Sequence, residues 1–245
     1  MSALRRRPRA LWVLVAVIVS FGCGPRKLTV ESAPALEQHT IRSVVVVPFQ
    51  RLTTPQVLDP AGPLFNVPGG AKRSDIQMGV APRASEGAPR PTNTVPAWVP
   101  DKVAETAYGK LKEREGLRVL PPGDAMRVLQ SLGDSARGWT PERLAREVAM
   151  QLHVDAALMG KVLIYRERNG SKWGADPAAV GFEVSLVAPD GQLLWTANYY
   201  EKQRPMNEDV VGFFEHGGGF VTADELIEYG AEKIARNFPV GGQTR

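Results

Sequence analysis

The chain has one cysteine, Cys23, in 245 residues. No disulfide can close within it, so no covalent staple supports the fold. Histidine is nearly as scarce. His39, His153 and His216 lie far apart, no His-x₃-His spacing occurs, and no Cys-x₂-Cys exists. Nothing in the sequence therefore builds a tetrahedral metal site. No cofactor is expected either, because Gly-x-Gly-x-x-Gly is missing and Gly160-Lys161 lacks the upstream glycine of a phosphate-binding loop. Gly-x-Ser-x-Gly is missing as well, which removes the nucleophile elbow of an α/β-hydrolase. Long apolar runs are also lacking. Ala10 to Phe21 is an uncharged, mostly apolar stretch of 12 residues. As a helix it reaches only about 18 Å, short of the roughly 30 Å hydrocarbon core of a bilayer. Finally, charge of one sign is not in excess where it counts. The net +4 includes Arg5, Arg6, Arg7 and Arg9, with no acid before Cys23, so the rest carries 30 − 4 = 26 basic residues against 26 acidic ones. A balanced surface leaves no electrostatic footprint for nucleic acid.

What is present begins with those four arginines. A basic start, a short apolar run and a small residue at Gly22 describe an export signal over residues 1–22. Ser20-Phe21-Gly22-Cys23 resembles the lipobox of bacterial lipoproteins, with Ser20 at the position where that pattern prefers Leu. The resemblance implies cleavage after Gly22 and acylation of the Cys23 thiol. Membrane lipid is then the first expected partner, and two or more acyl chains hold firmly where one is marginal. Gly24 rather than Asp after the cysteine implies an outer-membrane address facing the periplasm.

Residues 23–40 are polar, with Pro25 and Pro34, and read as a lipidated tether. The body of the domain is expected over 41–239, and 240–245 is a tail. Val44 to Val47 is a β-branched run that suits a strand buried on both faces. Residues 50–96 hold eight prolines and five glycines with little periodicity, and read as one long loop. Pro100 with Asp101 opens a helix whose stripe is Val103, Ala107 and Leu111, stopping at Gly116. Leu117 to Leu120 is a second strand. Asp124 caps a short helix to Leu132, and Thr140-Pro141 opens another through Leu144, Val148 and Leu152. "VDAALMGKVLIYRER" reads as a long strand with a wet end. Ala179 to Ala188 and Leu193 to Lys202 alternate about a Pro189-Asp190-Gly191 turn and make a hairpin, with Phe182, Val184, Leu186 and Leu193, Trp195, Ala197, Tyr199 on its apolar sides. Thr222 with Glu225 forms a capping-box pattern ahead of Ile227, Ala231, Ile234 and Phe238. The fold class is therefore α/β: a single domain with a mixed sheet of about five strands and about four helices covering it.

Three of these segments, "IRSVVVVPF", "LHVDAALMGKVLIYRER" and "VSLVAPDGQLLWTANY", resemble the TolB amino-terminal-like and CsgG-like envelope proteins, in order, over Ile41 to Tyr200. "FFEHGGGFVTADELIEYG" is similar to the tail of an uncharacterised lipoprotein branch of that group. The resemblance implies the same α/β domain and a non-enzymatic docking or assembly role beside an envelope protein partner. Members of that family activate penicillin-binding proteins or form the curli secretion channel. A channel subunit and an envelope hydrolase are the alternatives. No catalytic residue comes with the resemblance, and no small-molecule substrate is evident. Glu215 to Phe220, "EHGGGF", has the glycines of an oxyanion or anion cradle, but Asp224 and Glu225 occupy the following helix start. The segment reads instead as a flexible turn that docks Phe214 and Phe220. Trp173, in "NGSKWGADP", is the residue proposed for partner binding.

Overall fold

Val44 to Val47 alternates between two cores, and the architecture follows from that. The computed structural model describes residues 27–57, 92–172, 176–204 and 214–242. In chain order these give β1 (Leu28–Ser32), a 3₁₀ turn (Pro34–Gln38), β2 (Ser43–Val46), β3 (Gln50–Arg51), β4 (Gln56–Val57) and β5 (Thr92–Asn93). They continue with α1 (Val99–Leu111), β6 (Arg118–Leu120), α2 (Pro122–Leu132), a 3₁₀ turn (Gly133–Ala136) and α3 (Pro141–Gln151). The last elements are β7 (Ala156–Arg166), β8 (Ala179–Val187), β9 (Leu193–Lys202) and α4 (Ala223–Arg236). Seven strands form one sheet in the order β1-β9-β8-β7-β2-β6, with β3 beside β7. β2 lies parallel to β6 and β7, while β7, β8, β9 and β1 run antiparallel in turn. The sheet is mixed, as expected, and β1 and β3 are its additional strands.

Val44 and Val46 point into a core shared with α1 and α4, which holds Phe182, Trp195, Tyr199, Leu226 and Phe238. Val45 and Val47 point into a smaller core with α2 and α3, built from Ala125, Ala145, Val148, Ala149 and Val187. Each fully buried valine contributes roughly 1.5–3 kcal/mol, so the run is among the strongest local determinants of the fold. Close approach needs glycine at two places. A Cβ on Gly230 of α4 would meet the Tyr199 ring at 2.5 Å, and one on Gly160 of β7 would meet the Phe49 ring at 2.4 Å. The capping box of α4 forms in both directions, with the Glu225 backbone N–H donating to Thr222 Oγ1 at 3.2 Å and the Thr222 N–H donating to Glu225 at 2.7 Å.

Several expectations are corrected. The tether contains β1, whose residues pair in register from Leu28↔Tyr199 to Ser32↔Trp195. Leu28 rests on the larger core, and that contact offsets the polar, proline-flanked composition of the segment. The loop is ordered at both ends, because β3 pairs with β7 and β4 pairs with β5; its middle, 58–91, lies outside the described residues. The first helix ends at Leu111, before Gly116, which adopts a positive φ of 74° in the following turn. Asp124 sits inside the first turn of α2, and Pro121 holds the cap position. Leu193 is exposed and Leu194 is buried instead, because the register shifts between Leu186 and Val187. The body also reaches past residue 239. The buried Arg114 donates to the carbonyls of Ala235, Phe238, Val240 and Gly241 at 2.6–3.0 Å. The guanidinium thus closes the C-terminal end of α4 with no carboxylate, where the helix dipole favours a cation. Residues 1–22, Cys23, Trp173 and 243–245 lie outside the described residues.

Candidate functional site

Strand alternation puts Glu201 in phase with Trp195, Ala197 and Tyr199, on the buried side of β9. A carboxylate there needs partners, since burying an unpaired charge is prohibitive. It has three. Lys27 Nζ lies 2.8 Å from Oε1, His216 Nε2 lies 2.5 Å from Oε1, and Tyr199 Oη donates to Oε2 at 2.6 Å. Glu215 extends the network, accepting from Lys27 at 2.6 Å and from Lys233 of α4 at 2.8 Å. The His216 ring packs on Tyr229 with centroids 4.5 Å apart. The geometry fits a proton on Nε2, since that nitrogen faces a carboxylate that can only accept; Nδ1 is buried without a partner among the described residues.

The electrostatics follow from this arrangement. Burial raises the Glu201 carboxyl, but the bonds from His216, Lys27 and Tyr199 outweigh it and hold it at about 2. Burial lowers Lys27, and the carboxylates of Glu201 and Glu215 reverse that and raise it. Burial and the adjacent Glu201 push the Tyr199 phenol upward. These groups join four parts of the chain: the residue ahead of β1, the end of β9, the Glu215-His216 turn and α4. The side chains of Glu201 and His216 are only 3% and 1% exposed, so the centre of the cluster is a closed fastening, while Glu215 at its edge is 41% exposed.

The glycine-rich segment resolves accordingly. Gly217 and Gly218 both take φ of 74°, which only glycine adopts freely. The Gly217 amide donates to the Phe214 carbonyl, which removes it as an oxyanion donor. Phe220 is buried, but Phe214 is exposed, so only one of the two aromatics expected to dock does so. At the start of α4 the Ala223 N–H meets both oxygens of Glu167 at 3.2 Å, and Asp224 pairs with Lys102. Side-chain carboxylates already fill the position an anion would take. Among the described residues no group of three His, Cys, Asp or Glu side chains could hold a metal. An open groove of about 380 Å³ runs over Glu105, Lys110, Glu113 and Glu228, charged with both signs. No helix of the described residues is long and apolar enough to cross a membrane.

Of the residues singled out in the sequence, the structure brings His216 and Glu215 together with Lys27, Tyr199 and Glu201. His39 lies elsewhere, against Ala35 and Asp190. Cys23 and Trp173 fall outside the described residues. Asp155 also emerges as a joint: it accepts from the amides of Arg42 and Ser43 and from Ser43 Oγ at 2.8–2.9 Å, tying the start of β2 to the start of β7. Glu201 was detectable as a carboxylate in apolar phase, whereas Lys27 and Asp155 gave no periodic signal.

No family model matches the chain, and no curated protein matches its sequence. Solved structures similar to it include the PelC dodecamer from Paraburkholderia phytofirmans, at 14% identity and a TM-score of 0.44, covering 89% of this chain and 98% of that one. The lipoprotein GNA1162 from Neisseria meningitidis is similar at 15% identity and a TM-score of 0.38, covering 71% and 92%. The LpoB C-terminal domain from Salmonella enterica is similar at 12% identity and a TM-score of 0.37, covering 69% and 94%. At these identities and scores the likenesses transfer neither residues nor a task to this chain.

Proposed function

We propose that this chain is a lipid-anchored, non-enzymatic module of the bacterial cell envelope, held at the outer membrane through acylated Cys23 and docking a protein partner in the periplasm. The observation that carries the reading is the segment Ser20-Phe21-Gly22-Cys23, at the junction of a basic, apolar leader and the rest of the chain. Two features support the non-enzymatic part. The Glu201 carboxylate and the His216 ring at the centre of the most perturbed acid–base cluster are buried, and Lys27, His216 and Tyr199 all direct polar atoms to that carboxylate. The helix start after the glycine-rich turn is filled by Glu167 and Asp224. The partner-binding role of Trp173 belongs to the same proposal.

Metabolic labelling with palmitate tests the anchor. The wild-type chain takes up label and sediments with membranes, and the Cys23→Ala variant does neither. Label that persists in Cys23→Ala overturns the assignment. Photo-crosslinking from Trp173 in living cells tests the docking role: a discrete envelope protein joined at that position supports it, and only lipid or self-adducts argue against it.

A further inference from the structure

The sheet has a second face that its helices only half cover. Register fixes what lies there. Ile164, Gly181 and Tyr200 stand side by side across β7, β8 and β9. The Tyr200 amide donates to the Lys27 carbonyl at 2.9 Å, so the row ends at the residue preceding β1. A Cβ on Gly181 would sit 2.9 Å from Ile164 Cγ2 and 3.0 Å from Tyr200 Cδ2, which shows that the two side chains converge over the glycine as one apolar ridge. Tyr200 is 54% exposed. The next row toward the sheet's end is Arg166, Ala179 and Lys202, which brings two cations beside the ridge, Arg166 partly buried with Nη2 donating to the Pro177 carbonyl at 3.1 Å. The row on the other side, Lys161, Glu183, Asn198 and Thr29, is polar.

An exposed tyrosine and an isoleucine flanked by Arg and Lys is the chemistry of a headgroup layer, with an apolar body, a polar tip and long cations that snorkel. Chain length says which surface is in reach. Cys23 is four residues before Lys27, and four residues extend no further than about 14 Å. Lys27 is itself pinned to Glu201 and Glu215, so the folded body offers no additional slack at that point.

Resting on the acylated Cys23 proposed above, we infer that the Ile164–Tyr200 ridge with Arg166 and Lys202 seats on the lipid headgroups of the membrane that holds the anchor. The domain is then fixed in orientation, with the end bearing Arg166 and Lys202 toward the bilayer and α2 and α3 accessible to a partner.

The test uses the full chain purified from membranes and reconstituted into vesicles of phosphatidylethanolamine and phosphatidylglycerol carrying a nitroxide headgroup lipid. Acylation consumes the only native thiol, so an introduced cysteine takes a fluorophore uniquely. Labels are placed just past the end of β9, at the exposed Arg204→Cys, and on α3 at Met150→Cys. The lipid seat predicts severalfold stronger quenching at position 204 than at 150. It also predicts loss of that difference in an Ile164→Ser/Tyr200→Ser variant that still floats with the vesicles. Equal quenching at both positions, with intact mass showing the acyl chains on Cys23, overturns the seat and leaves the anchor standing. An unmodified Cys23 overturns both. Shielding at 204 that persists in detergent and grows with protein concentration gives the ridge to a second copy of the chain, and also overturns the seat.

Discussion

On one face of the sheet Phe182, Trp195 and Tyr199 pack against α1 and α4, and Phe238 meets the Trp195 ring edge-on at 5.2 Å. On the other face valines and alanines meet α2 and α3, and among the described residues that core contains no aromatic. Val128, Leu129 and Leu152 there are only partly buried. The fastenings are also unequal. The Arg114 clamp and the Glu201 cluster both tie α4 to the rest of the first layer, whereas among the described residues on the second face α3 is tied to the β8–β9 turn by a single exposed bond, from Arg146 Nε to the Pro189 carbonyl at 3.1 Å. The difference teaches a division of labour. The first face holds the fold and secures the N-terminal segment; the second leaves polar and apolar rows of the sheet open for contact.

The largest effect should come from emptying the first core. Trp195→Ala is expected to cost about 3–5 kcal/mol, read as a drop in the urea midpoint. Val44→Ala and Val45→Ala sharpen the contrast, since both side chains are fully buried neighbours on opposite faces. Val44→Ala should cost more, because the thinner α2–α3 layer can settle into the space. Equal costs would break the comparison.

Glu201→Ala comes next, at about 3 kcal/mol at neutral pH, because it leaves the buried His216 Nε2 and Tyr199 hydroxyl without their acceptor, while Lys27 keeps Glu215. The sign with pH is fixed by the depressed carboxyl, which sits at about 2 against a usual 4.5. The stabilisation is complete above about 4.5 and is lost as pH falls from there toward 2, so the gap between wild type and variant should close over that window. A gap that stays constant would contradict the cluster. Arg114→Ala should cost about 2–3 kcal/mol, and Arg114→Lys should recover little, since one ammonium cannot reach four carbonyls. The readout is the thermal midpoint, with hydrogen exchange at the end of α4 to locate the loss.

The smallest effects concern two helical glycines and differ in sign. Gly109 of α1 has open space where a Cβ would go, so Gly109→Ala should stabilise by up to about 1 kcal/mol. Gly230→Ala should instead destabilise by roughly 1–3 kcal/mol, because its Cβ would collide with Tyr199 and Phe182. Stabilisation by both would mean that α4 sits further from the sheet than described.

The first face was legible in the sequence because period and chemistry agreed. The alternation through Phe182, Val184 and Leu186 and the stripe Ile227, Ala231, Ile234 and Phe238 announced both sides of that core, and Thr222 with Glu225 announced where α4 begins. β1 was not legible. Its five residues are mostly exposed, and what holds them is pairing with β9, a partner far along the chain. Arg114 was hidden for a similar reason: its four acceptors are backbone carbonyls, which leave no trace in side-chain pattern. Of the fastening cluster, the sequence showed Glu215 and His216 as a glycine-rich curiosity, while Glu201 went unrecognised, although it continues the phase of Trp195, Ala197 and Tyr199.

Intact mass of the chain isolated from native outer membranes tests the central claim most directly. The account predicts a polypeptide that starts at Cys23 and carries the added mass of acyl chains on that residue. A chain that keeps a free thiol at Cys23 and is recovered without lipid would contradict it.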